Sequence, residues 1–128
     1  MAVKRKKIGI WMDHTIAHLM DYTSNPFEIK TIETTFTHQD KEKILQKGEI
    51  HLHYKEQQEQ AKYYKKLIDV VKKYNEVILF GPTDAKTELY NVLNADNRFE
   101  NIKIQVKQTD KMTAKQQHEF VREYFGTT

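Results

Sequence analysis

Apolar residues recur along this chain with two different periods, and the places where one gives way to the other mark out its elements. The firmest signal is Val77-Ile78-Leu79-Phe80, an unbroken apolar run with Glu76 before it and Gly81-Pro82 after it. It is too short for a helix. Its lack of alternation predicts a strand buried on both faces, as central parallel strands are. Gly81-Pro82 ends that strand, and the fixed φ of proline suits the first turn of a helix. Thr83 and Asp84 are placed to accept from the amides that such a turn leaves unpaired. Ala85, Leu89, Val92 and Leu93 then repeat at helical spacing.

Upstream, Lys7 to Asp13 alternates, with Ile8, Ile10 and Met12 on one side and Gly9 and Trp11 on the other. Both sides are largely apolar, which predicts a second central strand. Asp13-His14 is a tight polar break, and Thr15 to Tyr22 resumes as the other arm of a hairpin. Ser24-Asn25-Pro26 marks another turn. Phe27 to Phe36 is β-branched and aromatic but more charged, as an edge strand is. Thr37 to Tyr54 has no sustained period and reads as a long mobile excursion.

Lys55 to Tyr74 has helical spacing, with Ala61, Tyr64, Ile68, Val71 and Tyr74 on one face and Leu67 beside them. Beyond the central strand–turn–helix, Ile102, Ile104 and Val106 alternate with Lys103, Gln105 and Lys107, predicting an edge strand with one wet face. Thr113-Ala114-Lys115-Gln116 is a capping box, and Phe120, Val121, Tyr124 and Phe125 form the stripe of a last helix, which Gly126 is placed to end. The order β-β-β-α-β-α-β-α, with right-handed crossovers, suits an α/β fold of ribonuclease-H-like architecture. Its five-stranded mixed sheet would run 3-2-1-4-5, with strand 2 antiparallel to the rest and three helices.

Composition narrows this picture only a little. At 128 residues the chain suits one domain, 1–128, with a core of its own. Cysteine is absent, so disulfide and thiolate chemistry are excluded, which suits a cytoplasmic setting. The basic opening Met1 to Lys7 is followed by an apolar run, Ile8 to Met12, too short for the core of a secretory leader. No later stretch is long and apolar enough to span a membrane. Lys+Arg at 21 against Asp+Glu at 18 gives +3, a balance that permits an RNA partner without requiring one.

Several motifs together resemble a known family. Gly81-Pro82-Thr83-Asp84-Ala85-Lys86-Thr87-Glu88-Leu89, Asp110-Lys111-Met112-Thr113 and Val121-Arg122-Glu123-Tyr124-Phe125 are similar to bacterial relatives of the archaeal and eukaryotic class-one peptide chain release factors. Ile8-Gly9-Ile10-Trp11-Met12-Asp13-His14 resembles the opening strand of the same family. The resemblance is to the middle domain, sometimes labelled translational machinery component, and covers nearly the whole chain. It implies the same sheet and association with ribosomes, with Gly81, Pro82, Thr83, Asp84, Ala85, Lys86, Asp110, Met112 and Thr113 as family positions. In the release factors the loop before the long helix carries Gly-Gly-Gln, which enters the peptidyl-transferase centre. The matching stretch here is Gln46-Lys47-Gly48-Glu49-Ile50-His51-Leu52-His53, and Gly-Gly-Gln is absent. Peptidyl-tRNA hydrolysis is therefore not expected.

Other chemistry competes with plainer roles for the same residues. Asp13, Asp84 and Asp110 would share the carboxyl edge of the parallel strands, where open α/β sheets bind ligands. Clustered carboxylates could hold Mg²⁺ for phosphodiester hydrolysis. Yet Phe80-Gly81 stands where a nuclease of this fold wants a fourth-strand carboxylate, and only Glu56 and Glu59 are available on the long helix. Turn and helix-start roles explain the three aspartates better. His51 and His53 would share a side in an extended segment, with His38 as a third ligand, but without cysteine or an acidic motif this is thin support for zinc. No metal, cofactor or small-molecule substrate is expected. Lys4, Arg5, Lys6, Lys7, Lys47, Lys62, Lys65 and Lys66 are the candidate RNA contacts, with Tyr63 and Tyr64 as candidates to stack on bases. Two other classes compete with a ribosome- or RNA-associated domain: a metal-dependent nuclease, and an interaction module that forms a homodimer through a sheet edge.

Overall fold

A computed structural model of the chain describes residues 6–22, 28–34 and 49–126. Strands β1 (Lys7–Met12), β2 (Ile16–Asp21), β3 (Glu28–Glu33), β4 (Glu76–Gly81) and β5 (Lys103–Gln108) form one sheet in the order β3-β2-β1-β4-β5. β2 is antiparallel to β1 and β3, whereas β4 and β5 run parallel to β1. Among the described residues three α-helices accompany it: α1 (Glu49–Val71), α2 (Ala85–Asn94) and α3 (Ala114–Gly126), with a 3₁₀ turn at Asn97–Phe99. The fold is thus the α/β, ribonuclease-H-like arrangement that the order of elements predicts.

The sheet separates two apolar layers. Ile8, Ile10, Met12, Leu19, Val77 and Leu79 meet Tyr63, Leu67 and Val71 of α1 and Ala85, Leu89 and Leu93 of α2. Trp11, Met20, Ile78 and Phe80 meet Val121 and Phe125 of α3 on the other side. Val77 to Phe80 are all buried, alternating between the two layers, which is why that segment has no polar position. Each such side chain contributes about 1.5–3 kcal/mol on burial.

Two glycines set how closely the parts approach. A Cβ at Gly9 would run into the side chain of Val121, so its absence lets α3 lie against β1. Gly81 has φ +151°, and a Cβ there would strike the carbonyl oxygen of Met12, so β4 ends where only glycine fits.

Several boundaries differ from the sequence reading. The long helix begins at Glu49, not Lys55, and ends at Val71, so Glu49 to Tyr54 are helical, while residues 37–48 lie outside the described residues. The third strand spans Glu28–Glu33, and Ser24-Asn25-Pro26 lies outside the described residues. Tyr63 is the tyrosine buried in the core, and Tyr64 is half-buried beside it. Val92 belongs to the apolar stripe of α2 by spacing, but it is 49% exposed, because Ala85, Leu89 and Leu93 already fill the contact with the sheet. Asp84 makes no side-chain cap; Thr83 Oγ1 accepts from the Ala85 amide instead, at 3.3 Å. The capping box of α3 forms as predicted, with Thr113 Oγ1 accepting from Gln116 N at 3.2 Å and Gln116 Oε1 accepting from Thr113 N at 3.0 Å.

Candidate functional site

The carboxyl ends of β1, β4 and β5 lie side by side, so the turns that follow them build one edge. At the β4–α2 turn, Gly81, Pro82 and Lys86 are laced to the end of β5. Gly81 O accepts from Thr109 N at 3.1 Å, and Pro82 O accepts from Gln108 Nε2 at 3.1 Å. Lys86 is buried beneath this turn, its ammonium donating to the Thr83 carbonyl and, at 2.6 Å, to Gln108 Oε1. Burial pushes its pKa below the usual lysine range, against the opposing pull of Asp84. Lys86 therefore acts here as a tie between β5 and α2. Met112 and Thr113 are likewise structural: Met112 packs under α3 and its carbonyl accepts from Gln117 Nε2 at 3.0 Å, and Thr113 caps the helix.

The β1–β2 turn forms the next part of the edge. Asp13 Oδ1 accepts from Thr15 N and Ile16 N, both at 2.8 Å, and from the Thr15 hydroxyl at 3.0 Å. Its carboxylate is thus committed to its own turn. The Asp13 carbonyl accepts from the Tyr63 hydroxyl of α1 at 2.9 Å, and burial drives the Tyr63 pKa well above the usual phenol range. Roughly 20 Å of α1 precedes that contact.

Glu88 of α2 joins all three elements. One carboxylate oxygen accepts from the Tyr64 hydroxyl at 2.7 Å, and the other from His14 Nε2 at 3.2 Å. The Tyr64 bond, aided by His14, holds the Glu88 pKa below the usual carboxylate range although partial burial opposes it. Burial first, and Glu88 second, raise that of Tyr64. His14 and Glu88 remain 42% and 50% exposed, so water screens the pair. A carboxylate that activates an imidazole needs a drier setting. The cluster fastens the β1–β2 turn to the two helices. Sequence reasoning missed it, since nothing local pairs His14 with Glu88.

The three aspartates proposed for a metal do stand along this edge, but their carboxylates serve different ends. Asp13 is occupied by its turn, and Asp84 and Asp110 are exposed. Among the described residues no three His, Asp or Glu side chains come together to hold a metal ion. Residues 51 to 53 are helical, so the extended backbone that would have brought His51 and His53 to one side is not present, and His38 lies outside the described residues.

The candidate RNA-binding lysines divide into separate groups. Lys62, Lys65 and Lys66 are all exposed on the outer side of α1, and Lys62 lies 3.4 Å from Glu59. Lys6 is exposed at the opposite, amino edge, where its amide donates to Asn75 Oδ1 at 2.8 Å. Lys7 sits on the α3 side of the sheet with its ammonium 5.7 Å from the centre of the Phe125 ring. Lys4, Arg5 and Lys47 lie outside the described residues.

No family model matches the chain, and no curated protein matches it by sequence. Solved structures do resemble it. Pelota from Archaeoglobus fulgidus superposes with a TM-score of 0.58 at 9% identity, over 94% of this chain and 32% of that one. Pelota from Thermoplasma acidophilum gives 0.56 at 15% identity, over 96% of this chain and 34% of that one. The chain spans about a third of the length of either Pelota protein, and at such low identity the likeness establishes the fold alone. Among the described residues no helix is long and apolar enough to cross a membrane.

Proposed function

We propose that this chain is a translation-related domain that associates with ribosomes or RNA in the cytoplasm and does not hydrolyse peptidyl-tRNA. On this reading it is akin to the bacterial relatives of the class-one release factors. The observation that carries the proposal is the outer side of α1 and the turn after it. Lys62, Lys65, Lys66, Lys72 and Lys73 are exposed there, with Asp69 the one exposed acid between them. Asp69 pairs with Lys72 at 3.5 Å and Glu59 with Lys62, so no carboxylate among the described residues pairs with Lys65, Lys66 or Lys73. Lys65 and Lys66 on the helix face and Lys73 in the turn beyond it, none paired with an acid among the described residues, make the kind of basic stripe that meets a phosphate backbone. The sheet that carries it is the one implied by the sequence resemblance, and it is shared with the two Pelota structures.

The test is co-sedimentation with ribosomes across a salt series. The wild type should pellet at low salt and be released steeply as salt rises. Replacing Lys62, Lys65 and Lys66 together with alanine should lower the logarithmic salt slope by about 2, at roughly 0.7 for each single-strand phosphate contact. Pelleting that ignores both salt and these lysines would refute the proposal. A protein-interaction role has one observation of its own, the 50% exposed Ile29 on the β3 edge strand. Light scattering that found a stable dimer, abolished by Ile29→Lys, would favour it.

A further inference from the structure

The flank of α1 nearest β3 ends in a small cavity. It has a volume of about 140 Å³ and is lined by Ile8, Leu19, Val70, Tyr74, Asp21, Lys30 and Lys73. Pockets that enclose drug-sized ligands run to about 300–1,000 Å³, so this one has room for a single ring system and no more. Its floor is apolar, from the side chains of Ile8, Leu19 and Val70. Tyr74 forms a wall and is fixed in place, because its hydroxyl donates to Asp21 Oδ2 at 2.7 Å. That bond orients the Asp21 carboxylate without neutralising it. Lys30 and Lys73 are exposed and form no ion pair with a carboxylate among the described residues, so two cations face the single carboxylate of Asp21 and the lining is net positive.

The position of the cavity along α1 sharpens this. At about 100° per residue, Lys62 and Lys66 fall within about 40° of one another around the helix, and Lys73 lies in the turn just beyond its end. Lys62 and Lys66 share the flank of Val70, which lines the recess with Leu19 of β2, Lys30 of β3 and Lys73. The other flank is marked by Tyr64, which reaches Glu88 of α2. Lys30 of β3 stands across the cavity from the flank of Val70. Cationic groups thus lead along α1 to an apolar recess with one aromatic wall.

We propose that the recess seats one base of an RNA strand, with Lys30 and Lys73 holding the adjoining phosphate and Lys62 and Lys66 following the strand along α1. This rests on the reading of α1 as an RNA-facing helix and adds to it a base-binding position. The chemistry fits because a nucleotide joins a flat, largely apolar ring to a phosphate, matching a recess of that size with lysines on its rim. The same pairing of ring and phosphate would suit a free nucleotide as well, so strand and mononucleotide have to be separated by experiment.

The experiment uses the full chain with labelled methyl groups, a single-stranded RNA of about ten nucleotides, an abasic oligomer of equal length, adenosine monophosphate and a poly-glutamate peptide. The RNA should shift the methyl resonances of Ile8, Leu19 and Val70, and bind roughly tenfold more tightly than the abasic oligomer. Lys30→Ala with Lys73→Ala should weaken RNA binding at low salt, by roughly fivefold for each phosphate that a lysine no longer neutralises. Both lysines are exposed, so the variant should fold as the wild type does. RNA binding that depends on Lys62, Lys65 and Lys66 but leaves these methyl groups and the double variant unaffected would overturn the base site and leave the helix reading intact. Absence of any RNA binding would remove both. Methyl shifts with adenosine monophosphate but not with the oligomer would overturn the strand, and equal shifts with poly-glutamate would overturn the nucleotide.

Discussion

The ammonium of Lys86 lies 2.6 Å from Oε1 of Gln108, so the charge in the first turn of α2 is held by the last residue of β5. Its other acceptor is the carbonyl of Thr83, which makes two uncharged partners for a buried cation. The turn from Gly81 to Lys86 therefore acts as a knot between a central strand, its helix and an edge strand. Burying the charge opposes folding, and the knot's geometry is what it secures.

That burial sets a pH dependence. It lowers the folded-state pKa of Lys86 below its ordinary value near 10.5. Between the two values the unfolded chain binds more protons than the folded one, so stability rises with pH across that window. Lys86→Met keeps the length of the side chain and removes the charge. The variant should match or exceed the wild type in urea at pH 7, and the wild type should gain on it as pH approaches 10. Parallel midpoints over this range would show that the ammonium is not strained by burial.

The opposite sign is expected at Glu88. Its pKa is held below the ordinary value near 4.5, chiefly by the Tyr64 hydroxyl, so its contribution is present above that value and is lost as pH falls through the lowered one. Because half of the side chain is exposed, the effect is modest. Glu88→Ala should cost about 0.5–1 kcal/mol at pH 7. The difference should close in acid. A double-mutant cycle with Tyr64→Phe isolates the bond; zero coupling at pH 7 would show that the 2.7 Å contact contributes nothing in solution.

These two sites also show where sequence reading stops. Val77 to Phe80 was legible as a central strand because a run without a polar position has nowhere to lie but between two layers. Thr113 and Gln116 were legible because a capping box is local. Lys86 was not, since a lysine is ordinarily a surface residue and only its acceptors reveal otherwise. His14 and Glu88 are 74 positions apart, and no periodicity joins them. Tyr63 and Tyr64 differ by one helical step of about 100°; the spacing with Ala61, Ile68 and Val71 puts Tyr64 on the core face, whereas Tyr63, aligned with Leu67, is the one buried. The recess under Lys30 and Lys73 depends on β3 packing beside α1, a relation visible only in three dimensions.

The two close-packed glycines should respond differently to the same change. Gly81→Ala meets both a positive φ and the carbonyl of Met12, which is backbone and cannot swing away. A loss of about 3 kcal/mol or more is expected. Gly9→Ala meets only the side chain of Val121, so about 1–3 kcal/mol is expected, with partial recovery on adding Val121→Ala. Urea midpoints measure both. Recovery of Gly81→Ala by the same second change would contradict the assignment of its clash to backbone.

Release of nascent peptide is the activity that the resemblance raises and the missing Gly-Gly-Gln argues against. A flexible Gly-Gly-Gln depends on backbone conformations that favour glycine, followed at once by the amide that meets the ester. Here Gln46 precedes Lys47 and Gly48, and the helical backbone begins at the next residue, Glu49. The order of amide and glycine is reversed, and a charged side chain stands between them. The purified protein should leave peptidyl-tRNA intact on stalled and terminating ribosomes, while still pelleting with them at low salt through α1. Peptide release above background that disappears on Gln46→Ala would show that this stretch carries out the chemistry denied to it here.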